Sequence, residues 1–315
     1  MEHNSEDERY MRRCLQLAAN GLLNARPNPM VGAVIVCDGR IIGEGYHVRC
    51  GEGHAEVNAF ASVRPEDEHL LSRATIYVSL EPCAHYGKTP PCAELIIRKG
   101  VRRVVVGSID PNEKVYGRGI EMLRNAGIEV TTDVLGKECR LLNRRFFSFQ
   151  ARKRPYTIIK WAQSADGFID DHFKPARISN QYTMMLNHKL RAENEAIIVG
   201  RVTAERDQPK LNVRLWSGPD PIRRTLCKEY NIGHLLKEIR EKEIQSLIVE
   251  GGAKTHEFFF RMHWWDEIRV ETSPIIFGDG TKAAQLPNDA ELSERHVYGS
   301  NVISVYRKRY ETLFI

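Results

Sequence analysis

Apolar residues at Met11, Leu15, Ala18, Ala19 and Leu22 fall at the spacing of one helix face and predict a helix over 10–22. Pro27-Asn28-Pro29 breaks that period. From Val31 to Cys37 the apolar positions become continuous, as in a buried strand. Asp38-Gly39 is hairpin-turn chemistry, and 41–46 returns as the partner strand. Helices over 54–63, 92–99 and 119–126 then alternate with strands over 75–80, 101–108 and 128–131. Gly100 and Gly127 supply the stops, since glycine readily takes the left-handed conformation that ends a helix.

A helix over 137–150 and the stretch Ala151-Arg152-Lys153-Arg154-Pro155 read as a passage to a second half. There the pattern gives a strand over 156–161, a turn at Asp166-Gly167, a helix over 181–193 and a strand over 196–200 opening into a further helix. A helical stretch at 232–239 and a strand over 246–250 follow. Alternating strands and helices in both halves indicate an α/β protein. At 315 residues the chain exceeds what one hydrophobic core usually supports, so two domains are expected, 1–150 and 151–315. The strand ending at Glu250 runs into Gly251-Gly252 and a helix start, a geometry in which free backbone N–H groups grip phosphate. An ordinary tight turn fits equally well, and no G-x-G-x-x-G fingerprint is present.

Composition changes this picture little. Hydrophobic residues make up 42% and charged residues 28%, and the net charge of +5 suits phosphorylated small molecules at least as well as nucleic acid. The nearest approach to a basic stripe, Arg144, Arg145, Arg152, Lys153 and Arg154, reads as a solvated helix end and linker. The acidic, polar start predicts no signal peptide, and no apolar run approaches the ~18 residues of a membrane span. Seven cysteines, an odd number, suit a reducing cytoplasm.

The candidate chemistry lies in His54-Ala55-Glu56, Pro82-Cys83 and Pro91-Cys92. One imidazole and two thiolates can hold Zn2+ while leaving a fourth tetrahedral position for water. Glu56, two residues from His54, is placed to shuttle a proton without being a ligand. Zinc deaminases carry H-x-E and later P-C-x-x-C. Here eight residues instead of two separate the thiols. Cys50 is a rival ligand, although Gly51-Glu52-Gly53 reads as a loop leading into the His54 helix.

Together these motifs resemble the bifunctional deaminase-reductase family of riboflavin biosynthesis. In the first half the resemblance rests on Pro27-Asn28-Pro29-Met30-Val31-Gly32, Gly43-Glu44-Gly45-Tyr46-His47, the His54 and Cys83 motifs, Gly87-Lys88-Thr89-Pro90-Pro91-Cys92, Asp110-Pro111-Asn112 and Gly117-Arg118-Gly119. In the second half it rests on Lys160, Ser164-Ala165-Asp166-Gly167, the run from Asp207 to Arg214, and Val249-Glu250-Gly251-Gly252. It implies a cytidine-deaminase-like three-layer domain followed by a dihydrofolate-reductase-like domain with a mainly parallel sheet. The implied reactions are deamination of 2,5-diamino-6-(5-phosphoribosylamino)pyrimidin-4-one and then NADPH reduction of the ribosyl group to a ribityl chain.

By the same resemblance, His54, Cys83 and Cys92 would hold zinc and Glu56 would be the acid-base residue. Asn28, His47, Lys88, Asp110 and Asn112 would line the first substrate pocket, although Asn28, Asp110 and Asn112 are also good turn formers. Ala162, Arg177, Thr203, Asp207 and the run Gly252, Ala253, Lys254, Thr255, His256, Glu257 and Phe258 would meet NADPH. Arg191, Leu211, Arg214 and Glu250 would meet the ribose phosphate. Arg191 also reads as a solvated helix residue and Leu211 as packing. The family further implies a homo-oligomer.

Two departures stand out. Ala84 replaces the hydroxyl residue that usually follows the first cysteine. After Arg223 the chain passes almost at once to the helical stretch at 232, so a central piece of the reductase sheet is expected to be missing. Other readings are a deaminase whose second domain is only a scaffold, a nucleic-acid base deaminase, and a purely structural zinc module closed by Cys50 or His85.

Overall fold

The computed structural model describes residues 5–86, 90–112 and 115–308. Two compact units divide the chain, the first ending at Arg152 and the second starting at Lys153. No described helix is long and apolar enough to cross a membrane.

The first unit holds five strands, β1 (Gly32–Cys37), β2 (Arg40–Tyr46), β3 (Thr75–Val78), β4 (Arg103–Val106) and β5 (Glu129–Thr131), ordered β2-β1-β3-β4-β5. β1 pairs antiparallel with β2 and β3, whereas β3, β4 and β5 run parallel. Successive strand residues point to opposite faces, so β1 serves two cores. Ala33, Ile35 and Cys37 pack with Ala59 and Phe60 of α2 (Ala55–Ala61), Ile96 of α3 (Cys92–Lys99) and Leu123 of α4 (Arg118–Asn125). Val34 and Val36 face Tyr10, Met11, Cys14 and Leu17 of α1 (Ser5–Ala19), with Cys139 of α5 (Gly136–Leu142). Each fully buried Ile or Leu contributes about 1.5–3 kcal/mol to holding the layers together. Gly43 and Gly45 let α2 lie on β2, because a Cβ at Gly45 would meet the Ala59 nitrogen at 2.5 Å.

The helix expected over 137–150 is two, α5 and α6 (Arg144–Arg152), broken at Asn143. The buried Asn143 amide accepts from the Met30 N–H and donates to the Met30 carbonyl, both at 2.8 Å, which ties the break to the Pro27–Met30 stretch. A 3₁₀ helix, Pro65–Arg73, was not expected from the sequence pattern.

The second unit carries a seven-stranded sheet. Its parallel part comprises β6 (Tyr156–Gln163), β7 (Ala196–Gly200), β8 (Ile222–Leu226), β9 (Ser246–Val249) and β10 (Glu267–Thr272). β11 (Ala290–Tyr298) and β12 (Asn301–Lys308) add an antiparallel hairpin, giving the order β11-β12-β10-β6-β9-β7-β8. Helices α7 (Gln181–Ala192), α8 (Arg201–Asp207), α9 (Ile232–Glu241) and α10 (Ala253–Arg261) complete the unit.

The sheet corrects the expected central gap. β7 pairs directly with β9, with Ala196 opposite Leu247, and β8 lies at the edge with five residues paired to β7. Ile197, Ile198, Leu247 and Ile248 are fully buried, so the sheet is continuous through its centre and the core stays covered.

Candidate active site

His54 is the N-cap of α2, one position before the helix, and Glu56 lies in its first turn. Cys83 follows the end of β3, and Cys92 opens α3. These elements bring His54 Nδ1 to 3.3 Å from Cys92 Sγ and 3.6 Å from Cys83 Sγ. The three ligand atoms all lie within 4.8 Å of one another. Zinc bonds of about 2.0–2.3 Å in a tetrahedron require donor separations of roughly 3.5 Å, so the set fits the ion. Among the described residues neither Cys50, which is exposed, nor His85 joins this group, so the structural zinc module lacks its fourth ligand.

The electrostatics agree. The Cys83 thiol is pulled down to about 4 by hydrogen bonding from Cys92, with help from His54. Cys92 is pushed far up beside the Cys83 sulfur and by burial. A cation held between the sulfurs would allow both to ionise. Glu56 is only 3% exposed, and burial raises its carboxyl above the usual range.

The cleft beside this group is lined by Asn28, His47, His54, Glu56, Asp110 and Asn112, which the sequence reading named for it. Lys88 lies outside the described residues. His47 Nδ1 lies 3.1 Å from the Gly53 carbonyl, which can only accept, so that nitrogen carries the proton. Its Nε2 therefore accepts from Asn28 Nδ2 at 3.1 Å, which leaves the Asn28 carbonyl oxygen for a ligand. Burial lowers the His47 pKa, in keeping with a neutral ring. The sequence reading missed Phe146, contributed to this cleft by α6, and Glu81. No local pattern marks Phe146. Glu81 directly precedes Pro82-Cys83, a carboxylate just past a strand end.

Asp110 is pushed up to about 6 by burial, from an ordinary 3.8. The native state thus holds this proton more tightly than the unfolded chain, and its contribution to stability falls as pH rises from 3.8 through about 6. Asp110→Asn should therefore be more stable than the parent by up to about 3 kcal/mol near pH 8, with no difference near pH 3. Urea unfolding at both pH values checks this.

In the second unit a cleft is lined by Ala162, Thr203, Asp207, Leu211 and Glu250, together with Gly251 and Gly252. Lys160 and Arg206 join it; Lys160 stood among the matched residues, whereas Arg206 was not singled out. Arg191, outside the lining, holds Glu250 through Nη2 at 2.7 Å and Nε at 3.4 Å. Burial pushes Glu250 up, but Arg191 and Lys160 outweigh it and hold the carboxyl below its usual range. Leu211 is buried in the apolar cluster with Tyr156, Leu190 and Ile197, so its side chain packs. Arg214 is exposed; its guanidinium donates to Asn212 Oδ1 and its backbone N–H to His188 Nδ1. Arg177 is exposed and outside the lining.

The glycine turn differs from the expected phosphate grip. The Gly251 N–H donates to His256 Nε2 and the Gly252 N–H to Thr203 Oγ1, both at 3.1 Å. Those two donors are consumed inside the protein. His256 is 1% exposed, and burial drops its pKa to about 3, so the ring is a neutral structural acceptor. Lys254 and Glu257 are exposed on α10, and Ala253, Thr255 and Phe258 are partly buried there.

Comparison with known proteins matches residues 4–108 to the cytidine and deoxycytidylate deaminase zinc-binding region. The RibD C-terminal domain matches 155–229 and 222–302, two segments that meet at β8. The riboflavin biosynthesis protein RibD of Aquifex aeolicus is 36% identical, covering 89% of this chain and 90% of that protein. RibD of Haemophilus influenzae is 30% identical over 96% of this chain and 95% of its own. A solved structure from Thermotoga maritima, a diaminohydroxyphosphoribosylaminopyrimidine deaminase/5-amino-6-(5-phosphoribosylamino)uracil reductase, superimposes with a TM-score of 0.88 at 33% identity, covering 98% of this chain and 100% of that one. With relatives matching across both units, a zinc-ligand set at one cleft and a reductase fold at the other, the chain belongs to the RibD family of bifunctional riboflavin-biosynthesis deaminase-reductases.

Proposed function

We propose that residues 1–150 deaminate 2,5-diamino-6-(5-phosphoribosylamino)pyrimidin-4-one and that residues 151–315 reduce the product's ribosyl group with NADPH. The observation that carries the first step is the convergence of His54 Nδ1, Cys83 Sγ and Cys92 Sγ beside a buried Glu56. His54, Cys83 and Cys92 would hold zinc, which would supply a water that ionises near neutral pH. Glu56 takes a proton as water adds to the amino-bearing carbon and returns it to the departing nitrogen. Water and the amidine-like carbon thus give a carbonyl and ammonia. Asn28, oriented by His47, offers its carbonyl oxygen to a ring N–H or amino group, and Asp110 and Asn112 close the cleft.

In the second unit NADPH supplies the hydride. Ala162, Thr203, Asp207 and the start of α10 would border it. Arg191 and Arg214 would hold the ribose phosphate, and Glu250 the sugar hydroxyls. Leu211 supports that surface from the core. The same reading takes a small phosphorylated pyrimidine as the partner, with no nucleic acid or membrane, and a cytoplasmic homo-oligomer; the seven free cysteines agree with a reducing compartment.

A coupled assay tests the pair of reactions. Ammonia release should precede stoichiometric NADPH oxidation by the same chain; ammonia without NADPH oxidation would leave the second unit a scaffold. Dialysis against a chelator should abolish ammonia release yet leave NADPH oxidation on the deaminated intermediate unchanged. One equivalent of Zn2+ per chain should restore it. A chelated protein that still deaminates at the original rate would overturn the assignment of the three ligands.

A further inference from the structure

Glu81 is 4% exposed, at the end of the β3 strand region and two residues before Cys83. Its carboxylate accepts four backbone N–H groups. Oε1 takes Gly119 at 2.9 Å and Ile120 at 3.4 Å, and Oε2 takes Gly117 at 2.9 Å and Asp110 at 3.3 Å. Gly117 caps α4 in the left-handed conformation, with φ 73°. One side chain therefore ties the start of α4 to Asp110, the residue that opens one wall of the deaminase cleft. Asp110 in turn accepts the Asn112 N–H at 2.8 Å. The second wall of the cleft belongs to the His54 and Cys83 segments, and Glu81 is continuous with the latter through Pro82.

We propose that Glu81 is a positioning residue for deamination: it sets the Asp110–Asn112 wall at its distance from the Cys83 segment and thereby tunes substrate affinity. This rests on the reading of that cleft as the pyrimidine site. Both oxygens are needed, because each accepts from two N–H donors. The four bonds satisfy N–H groups at the start of α4, which have no partner within the helix, and at Asp110. Close packing reinforces the arrangement. A Cβ added at Gly119 would run into the Pro82 carbonyl oxygen, so α4 starts where it does only with glycine there.

Glu81→Gln keeps the volume but turns an NH2 group toward two N–H donors. The expected result is a rise in KM for the phosphoribosyl diaminopyrimidine of about 10- to 100-fold, the usual reach of a residue that orients the groups of a site through its hydrogen bonds. The kcat should change by less than about threefold, zinc should remain at one per chain, and NADPH oxidation by the second unit should be unchanged. Amides of Gly117, Gly119 and Ile120 should exchange hydrogen faster than in the parent. Gly119→Ala displaces the same helix start while leaving the Glu81 carboxylate in place and should give the same rise in KM, which provides a reading if Glu81→Gln does not fold. An unchanged KM in either folded variant overturns the proposal. So does loss of kcat at constant KM, or loss of zinc and NADPH oxidation together with deamination, which would make Glu81 a support of the fold as a whole. Failure of the pyrimidine-site reading would show separately, as full ammonia release by a Glu56→Gln protein.

Discussion

Glu56→Gln should lower the deamination kcat by about 10²- to 10⁴-fold, the range a positioned acid-base group supplies. The side chain is buried at the first turn of α2 and lies outside the His54, Cys83 and Cys92 group, so the zinc content should stay at one per chain. Glutamine preserves shape and one hydrogen-bond acceptor but neither takes nor returns a proton. NADPH oxidation on the deaminated intermediate serves as an internal control, because the residues proposed to carry it belong to the other unit. Ammonia release at the parent rate with zinc in place would refute the role of Glu56.

Arg191→Met should cost the second unit about 3–5 kcal/mol of stability, the penalty of leaving a buried carboxylate without its partner. Against a typical domain stability of 5–15 kcal/mol, that is a large share. The pair is two-pronged, 2.7 and 3.4 Å, with only 13% of each side chain exposed. Because Arg191 holds the Glu250 carboxyl below its ordinary 4.5, the pair's contribution is complete above that value. It is lost as pH falls through the lower native value. The double variant Arg191→Met with Glu250→Gln should recover most of the stability, since no charge is left stranded. It should not recover reduction: losing the proposed charge-assisted contact to phosphate, about 1.5–3 kcal/mol, would raise KM roughly 10- to 100-fold. Urea unfolding and NADPH oxidation, measured on both variants, separate the two effects. A double variant as unstable as Arg191→Met would show that Arg191 acts through packing instead of charge.

Much of the fold was legible because its signals are local. The helix over 92–99 with its Gly100 stop and the strand over 196–200 have the boundaries that the apolar period and the glycine predict. The strands after residue 250 were not read. β10 alternates Glu267, Arg269 and Glu271 with apolar residues, and buries Glu267 completely by pairing it with Arg269 and the Tyr156 hydroxyl. Charged residues at that spacing look like a solvated segment until their partners are known. β11 is almost wholly exposed, so its pattern carries no record of a core. The long helix over 137–150 was over-read for the converse reason. Its apolar period continues across Asn143, but a bond to Met30, 113 residues away, breaks it.

By itself the sequence determined the chemistry of the first unit, because zinc ligation depends on which side chains exist and His-x-Glu followed by two Pro-Cys pairs supplies the donors and the proton carrier. It also determined the alternation of strand and helix that makes both units α/β, since side-chain period is a property of the local backbone. Only the tertiary structure decided that Cys50 and His85 stay out of the metal group, that the Gly251 and Gly252 N–H groups are already taken, and that β7 pairs directly with β9 in an uninterrupted sheet. It alone joined Glu81 to Asp110 and the start of α4. Those outcomes turn on which groups satisfy each other's hydrogen bonds and charges across tens of residues, and such pairing leaves no mark in the hydrophobic pattern of either segment.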